Sequence, residues 1–91
     1  MIKYRHHRGS LEESMKTAQT FKTIDEMKQY ICKDLDPEGR HWITPDDIMI
    51  GDVLGDDDRV GWKSVRYVLT KRYICEDYIY PQCIGLCSII E

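Results

Sequence analysis

The sequence lacks the marks by which most enzymes and secreted proteins are recognised. It has no phosphate loop and no GxSxG elbow, and no context around a Cys, His or Asp that marks a nucleophile. A catalytic role is therefore not expected. No apolar run approaches the length of a membrane span. The opening MIKYRHHRGS has no apolar signal core, so the expected compartment is the cytoplasm, where cysteines stay reduced. No internal repeat and no flexible linker interrupts the 91 residues. That length makes one domain with a thin core, which a metal or a partner could brace.

Charge is present in quantity but is uneven. The net charge is only −3, with charged residues at 32%. Residues 1–33 sum to +3 and residues 62–91 to +1, whereas residues 34–61 carry nine acids against two bases, a balance of −7. Such a block repels nucleic acid and attracts cations or basic protein surfaces, or else is simply a solvated face.

Local patterns predict a mixed α+β domain, residues 1–91. IKYRHH alternates apolar and polar residues and reads as a short, edge-type strand. Ser10 and Glu13 form a capping box, which suggests a helical turn, with TAQTF following as a strand. Thr23 and Glu26 form a second box. After it, Ile24, Met27, Ile31 and Leu35 make one apolar stripe, so the main helix is expected over about 23–34. A strand is expected at about 48–54, then GDDDRVG as a loop. WKSVRYVLT reads as a further strand that turns at Lys71-Arg72 into YICEDYIY as a C-terminal hairpin. Pro81 and Gly85 predict an irregular tail. The sum is one helix packed on a small, mostly antiparallel sheet.

Three groups of residues are candidate sites. Cys75, Cys83 and Cys87 supply three thiolates for a tetrahedral zinc site, with Cys32, His41, His6 or His7 as the fourth ligand. A C-x7-C-x3-C pattern is not the usual knuckle, and free cysteine is also a common core residue, so buried thiols and a structural zinc site both fit. Asp34, Asp36, Glu38 and Gly39 match the start of a calcium loop. His41 and Pro45 then break the motif, which leaves an acidic turn after the helix. Tyr4, Arg5, His6, His7 and Arg8 make a small basic patch, readable as a phosphate grip or as charges guarding a sheet edge.

Two segments carry a family resemblance. YRHHRGSLEESMKT at the start, and DDRVGW at Asp57–Trp62 with its D-x-R-x-G-W pattern, resemble small uncharacterised proteins of bacteriophages and mobile elements in gut and Gram-positive bacteria. The likeness spans about half the chain. The cysteine-bearing end, CEDYIYPQCIGLCSIIE, departs from it. The resemblance implies a bacterial host and a protein that binds a host protein, as inhibitors of host defence nucleases do, anti-CRISPR proteins among them. Some of these use an acidic surface to fill a nucleic-acid channel. On that reading Asp46, Asp47, Asp56, Asp57 and Asp58 are rim contacts and Trp62 (or Trp42) is an aromatic anchor. The partner is then a basic nucleic-acid-binding protein, with no direct contact to nucleic acid or membrane.

Overall fold

Two side-chain caps start the two helices. In the computed structural model, which describes residues 1–7, 9–70 and 82–89, Ser10 accepts a hydrogen bond from the Glu13 N–H at 3.2 Å and begins α1 (Leu11–Lys16). Thr23 accepts from the Glu26 N–H at 3.2 Å and begins α2 (Ile24–Leu35). Each cap satisfies an amide that the first helical turn leaves without an intrahelical acceptor. The stretch after α1 is a strand, as its Thr and Phe suggest. None of the described helices is long and apolar enough to cross a membrane.

The five described strands are β1 (Ile2–His6), β2 (Gln19–Phe21), β3 (Ile48–Asp57), β4 (Trp62–Thr70) and β5 (Gln82–Ile89). They form one antiparallel sheet in the order β2-β1-β5-β4-β3, so the domain is α+β. One face is covered by α2. Met27 and Ile31, both fully buried, meet Ile2, Tyr4, Ile48, Val68 and Cys87 of the sheet in a single core, with Ile43 of the preceding loop. That is the stripe read from the sequence. Cys32 lies half-buried at its margin. Burying two such side chains contributes roughly 1.5–3 kcal/mol each.

Several boundaries differ from the sequence reading. β1 is an inner strand, flanked by β2 and β5, and not an edge. β3 runs on through Asp57, so the expected GDDDRVG loop shrinks to a turn in which Gly61 takes φ 68°. Gly85 lies within a strand, beside a register shift in its pairing with β4. β4 is flanked by β3 and β5, so residues 82–89, expected to be irregular, are a strand. YICEDYIY and Pro81 lie outside the described residues. Gly85 sits mid-strand because the Tyr4 ring lies directly over it. A Cβ there would meet the Tyr4 ring and come within 2.6 Å of the Arg5 carbonyl oxygen. Glycine thus marks a close approach here, not a turn.

Candidate functional site

The two segments that carry the resemblance meet in space. Arg5 of β1 points away from α2 and is only 2% exposed. Its guanidinium lies 4.7 Å from the Trp62 ring centroid, and its Nη2 donates to Asp57 Oδ2 at 3.2 Å. Nη1 lies 3.3 Å from the Met15 sulfur of α1. Arg59 holds the same carboxylate as a fork: Nε to Oδ1 at 2.9 Å and Nη2 to Oδ2 at 3.0 Å. One carboxylate therefore bridges two guanidiniums. The Arg59 hydrogen bonds, seconded by Arg5, pull the Asp57 pKa down to about 2, against the opposing effect of desolvation. The Asp, Arg and Trp of D-x-R-x-G-W are the three residues that build this cluster with Arg5.

This geometry redistributes the residues proposed from sequence. Trp62, expected as a docking anchor, is 4% exposed beneath Arg5. Asp57 spends its acceptors on the two arginines. Asp56 accepts from the Ser64 N–H at 2.9 Å and pairs with Lys63 at 3.3 Å, which lowers its pKa, the Ser64 bond being the larger cause. Asp47 closes the 3-10 turn at Pro45–Asp47 by accepting from the Thr44 N–H at 2.9 Å. Asp46 and Asp58 face solvent. Trp42 is half-buried against the core.

Sequence reasoning marked residues 34–61 as acidic but missed the apolar side chains exposed within them. Asp52, Val53, Leu54, Gly55 and Asp56 are all exposed, on both faces of β3, with Val53 at 51% and Leu54 at 52%. The pairing of this stretch with β4 shifts register three times between Ile50 and Asp57. Such bulges twist an edge strand away from casual pairing. Together with the turn at 58–61 this forms an arm that displays Asp52 and Asp58 beside two apolar side chains. Tyr67 of β4 adds a third apolar group, at 41% exposure. The alternation rule predicts one buried face for a strand, and an arm bare on both sides breaks it.

Most of the basic patch at the start is turned inward. Tyr4 and His6 face α2, where the Tyr4 hydroxyl and His6 Nδ1 are 2.9 Å apart and His6 Nε2 is 3.2 Å from Asp34 Oδ2. His6 also stacks on Tyr30 at 6.0 Å between ring centroids. His7 alone of the described patch is exposed; Arg8 lies outside the described residues.

The acidic turn after α2 is held by its own backbone. Asp36, 9% exposed, accepts from the Arg40 N–H at 2.9 Å and the His41 N–H at 2.8 Å, while Gly39 and His41 take positive φ. Asp34 turns to His6 instead. Among the described residues no three His, Cys, Asp or Glu side chains come together to hold a metal. Cys75, one of the proposed zinc ligands, lies outside the described residues. Cys87 packs in the core, and burial pushes its pKa up to about 11; Cys83 and Cys32 are raised by burial as well. Burial of this kind favours the thiol over the thiolate that binds metal.

Comparison with protein-family models, with curated proteins and with solved structures finds no match.

Proposed function

We propose that this protein is a binding protein of the bacterial cytoplasm that docks its acidic arm on a basic, nucleic-acid-binding host protein and inhibits it by occupying that surface. The observation that supports this reading is the five-residue exposed run Asp52–Asp56, with Val53 and Leu54 half-exposed between acids. A folded domain that leaves apolar side chains bare on an otherwise charged arm has a surface suited to a partner. Carboxylates at the rim steer a basic groove toward the arm, and the apolar pair supplies area that charge alone does not. Asp46, Asp52 and Asp58 carry the steering. Asp56 and Asp57 shape the arm through their bonds to Lys63, Arg59 and Arg5. A channel built for phosphate accepts such a carboxylate array as a mimic of its ligand.

The test is competitive capture. Immobilised wild-type protein is exposed to bacterial lysate, and bound proteins are eluted with single-stranded nucleic acid. A parallel column carries the variant Asp52→Asn, Val53→Ser, Leu54→Ser, Asp58→Asn. A protein retained by the wild type, released by nucleic acid and absent from the variant column is the expected result. Equal retention on both columns rules out the arm as the docking surface.

A further inference from the structure

Next to the Arg5–Asp57–Arg59 cluster lies a cleft of about 170 Å³, lined by Arg5, His7, Gly9, Ser10, Ser14 and Arg59, with Leu11 and Leu86 as its apolar wall. Among the described residues its lining contains no acid, although the Glu13 carboxylate lies against Gly9 at the rim, in a chain whose net charge is −3. Two arginines border it and one carboxylate, Asp57, is shared between them, so this trio carries one positive charge in excess. Arg5 is also short of acceptors. Its five N–H groups find one carboxylate oxygen and one weak thioether sulfur, and its buried Nε has no hydrogen-bond partner. A buried, under-satisfied guanidinium is costly, and such a group calls for an anion nearby.

We propose that this cleft binds a phosphoryl group. Asp57 already takes the Arg59 Nε–Nη2 fork and one Arg5 bond, so the guanidiniums offer their remaining N–H groups to a tetrahedral oxyanion, and His7 and the Ser10 hydroxyl add further donors, the Ser14 hydroxyl being spent on the His6 carbonyl. A single carboxylate would use fewer of these. A second cleft of about 430 Å³ shares Arg5, Arg59 and Leu86 with the first and adds Leu54 and Val65. It suits the organic part of a phosphomonoester. Its other edge carries Asp56, Asp57 and Asp58, which confines the anion to the smaller cleft. The site rests on side chains of β1, α1 and the β3–β4 turn, and does not depend on the arm reading.

The experiment is an amide NMR titration of the whole chain at constant ionic strength, with inorganic phosphate, phenyl phosphate, sodium acetate and sodium chloride as separate probes. Phosphate is expected to give saturable shifts at His7, Gly9 and Ser10. Phenyl phosphate is expected to bind more tightly and to move Leu54 and Val65 as well. If inorganic phosphate binds as tightly as phenyl phosphate, the phosphoryl site stands and free phosphate is its ligand. Arg59→Gln, at a side chain 70% exposed, should keep the fold and weaken phosphate about tenfold. Should that variant unfold, His7→Gln at an exposed position should weaken phosphate about twofold. Absence of saturation at tens of millimolar phosphate, or the same shifts with acetate or chloride, overturns the proposal. So does unchanged phosphate affinity in a folded variant.

Discussion

An inner strand, β1, and an edge strand, β3, treat charge in opposite ways. Around β1, charged and polar groups are drawn inward and given partners: Arg5 to Asp57 and Trp62, His6 to Tyr4 and Asp34. Along β3, Asp52 remains in water and Asp56 pairs only with exposed Lys63, Asp57 alone turning in to Arg5 at the strand's end, and apolar Val53 and Leu54 stand beside them. A charge on an inner strand needs a partner, because desolvation without one costs several kcal/mol, and Arg5 meets that need only in part, its Nε being left unpaired. An arm in solvent has no such constraint, and its residues are available for something other than the fold. Substitutions on the first side should therefore cost stability, and on the second side binding.

Gly85→Val tests the first side most severely. The added side chain meets the Tyr4 ring and the Arg5 carbonyl, and backbone cannot move aside. Loss of a cooperative thermal transition is expected by circular dichroism. Trp62→Ala comes next. It empties the site beneath Arg5 and should cost about 3–5 kcal/mol in denaturant unfolding. Met27→Ala, at a fully buried position, should cost about 2–5 kcal/mol by the same measurement.

Asp57 sharpens the contrast through pH. Its folded pKa, about 2, lies below the ordinary value of 3.8. The carboxylate therefore adds stability above the ordinary value, and that contribution fades as pH falls toward 2. Asp57→Asn should flatten the decline in melting temperature across this window, and a decline equal to the wild type's would show that other acids carry it. On the arm, Val53→Ser with Leu54→Ser should shift unfolding by no more than about 0.5 kcal/mol each, while weakening partner capture. Cysteine labelling gives the smallest signal. Iodoacetamide at mildly alkaline pH should modify Cys32 and Cys83 before Cys87, read by mass spectrometry, since Cys87 is core and its thiol is pushed up to about 11.

Short-range chemistry explains which parts of the fold were legible. The helix α2 announces itself within twelve residues, by a cap and a stripe, and α1 with β2 does so less loudly. β5 is hidden because its glycine answers to Tyr4, some eighty residues away in sequence. Likewise, Arg5 reads as a surface charge until Asp57 and Trp62 are brought to it by the hairpin. The same distance hid the true setting of Trp62, which as a lone aromatic in an acidic segment resembles an anchor. The acidic third was visible as composition. Which of its carboxylates are engaged depends on Lys63, Ser64, Arg5 and Arg59, and no pattern in the segment itself reveals that.

The placement of β1 also has a consequence for how the chain reaches this structure. β1 is made first, yet its inner neighbour is β5, with Ile2 opposite Ile89 and His6 opposite Gly85. The seam at the middle of the sheet closes across nearly the whole length of the chain. Closing so wide a loop is entropically costly and comes late. Until it closes, β1 has only the three-residue β2 beside it, and the β3–β4 hairpin must form on its own. Such a chain should collapse as two local pieces and lock in one final step, with Arg5 reaching Asp57 as that lock turns.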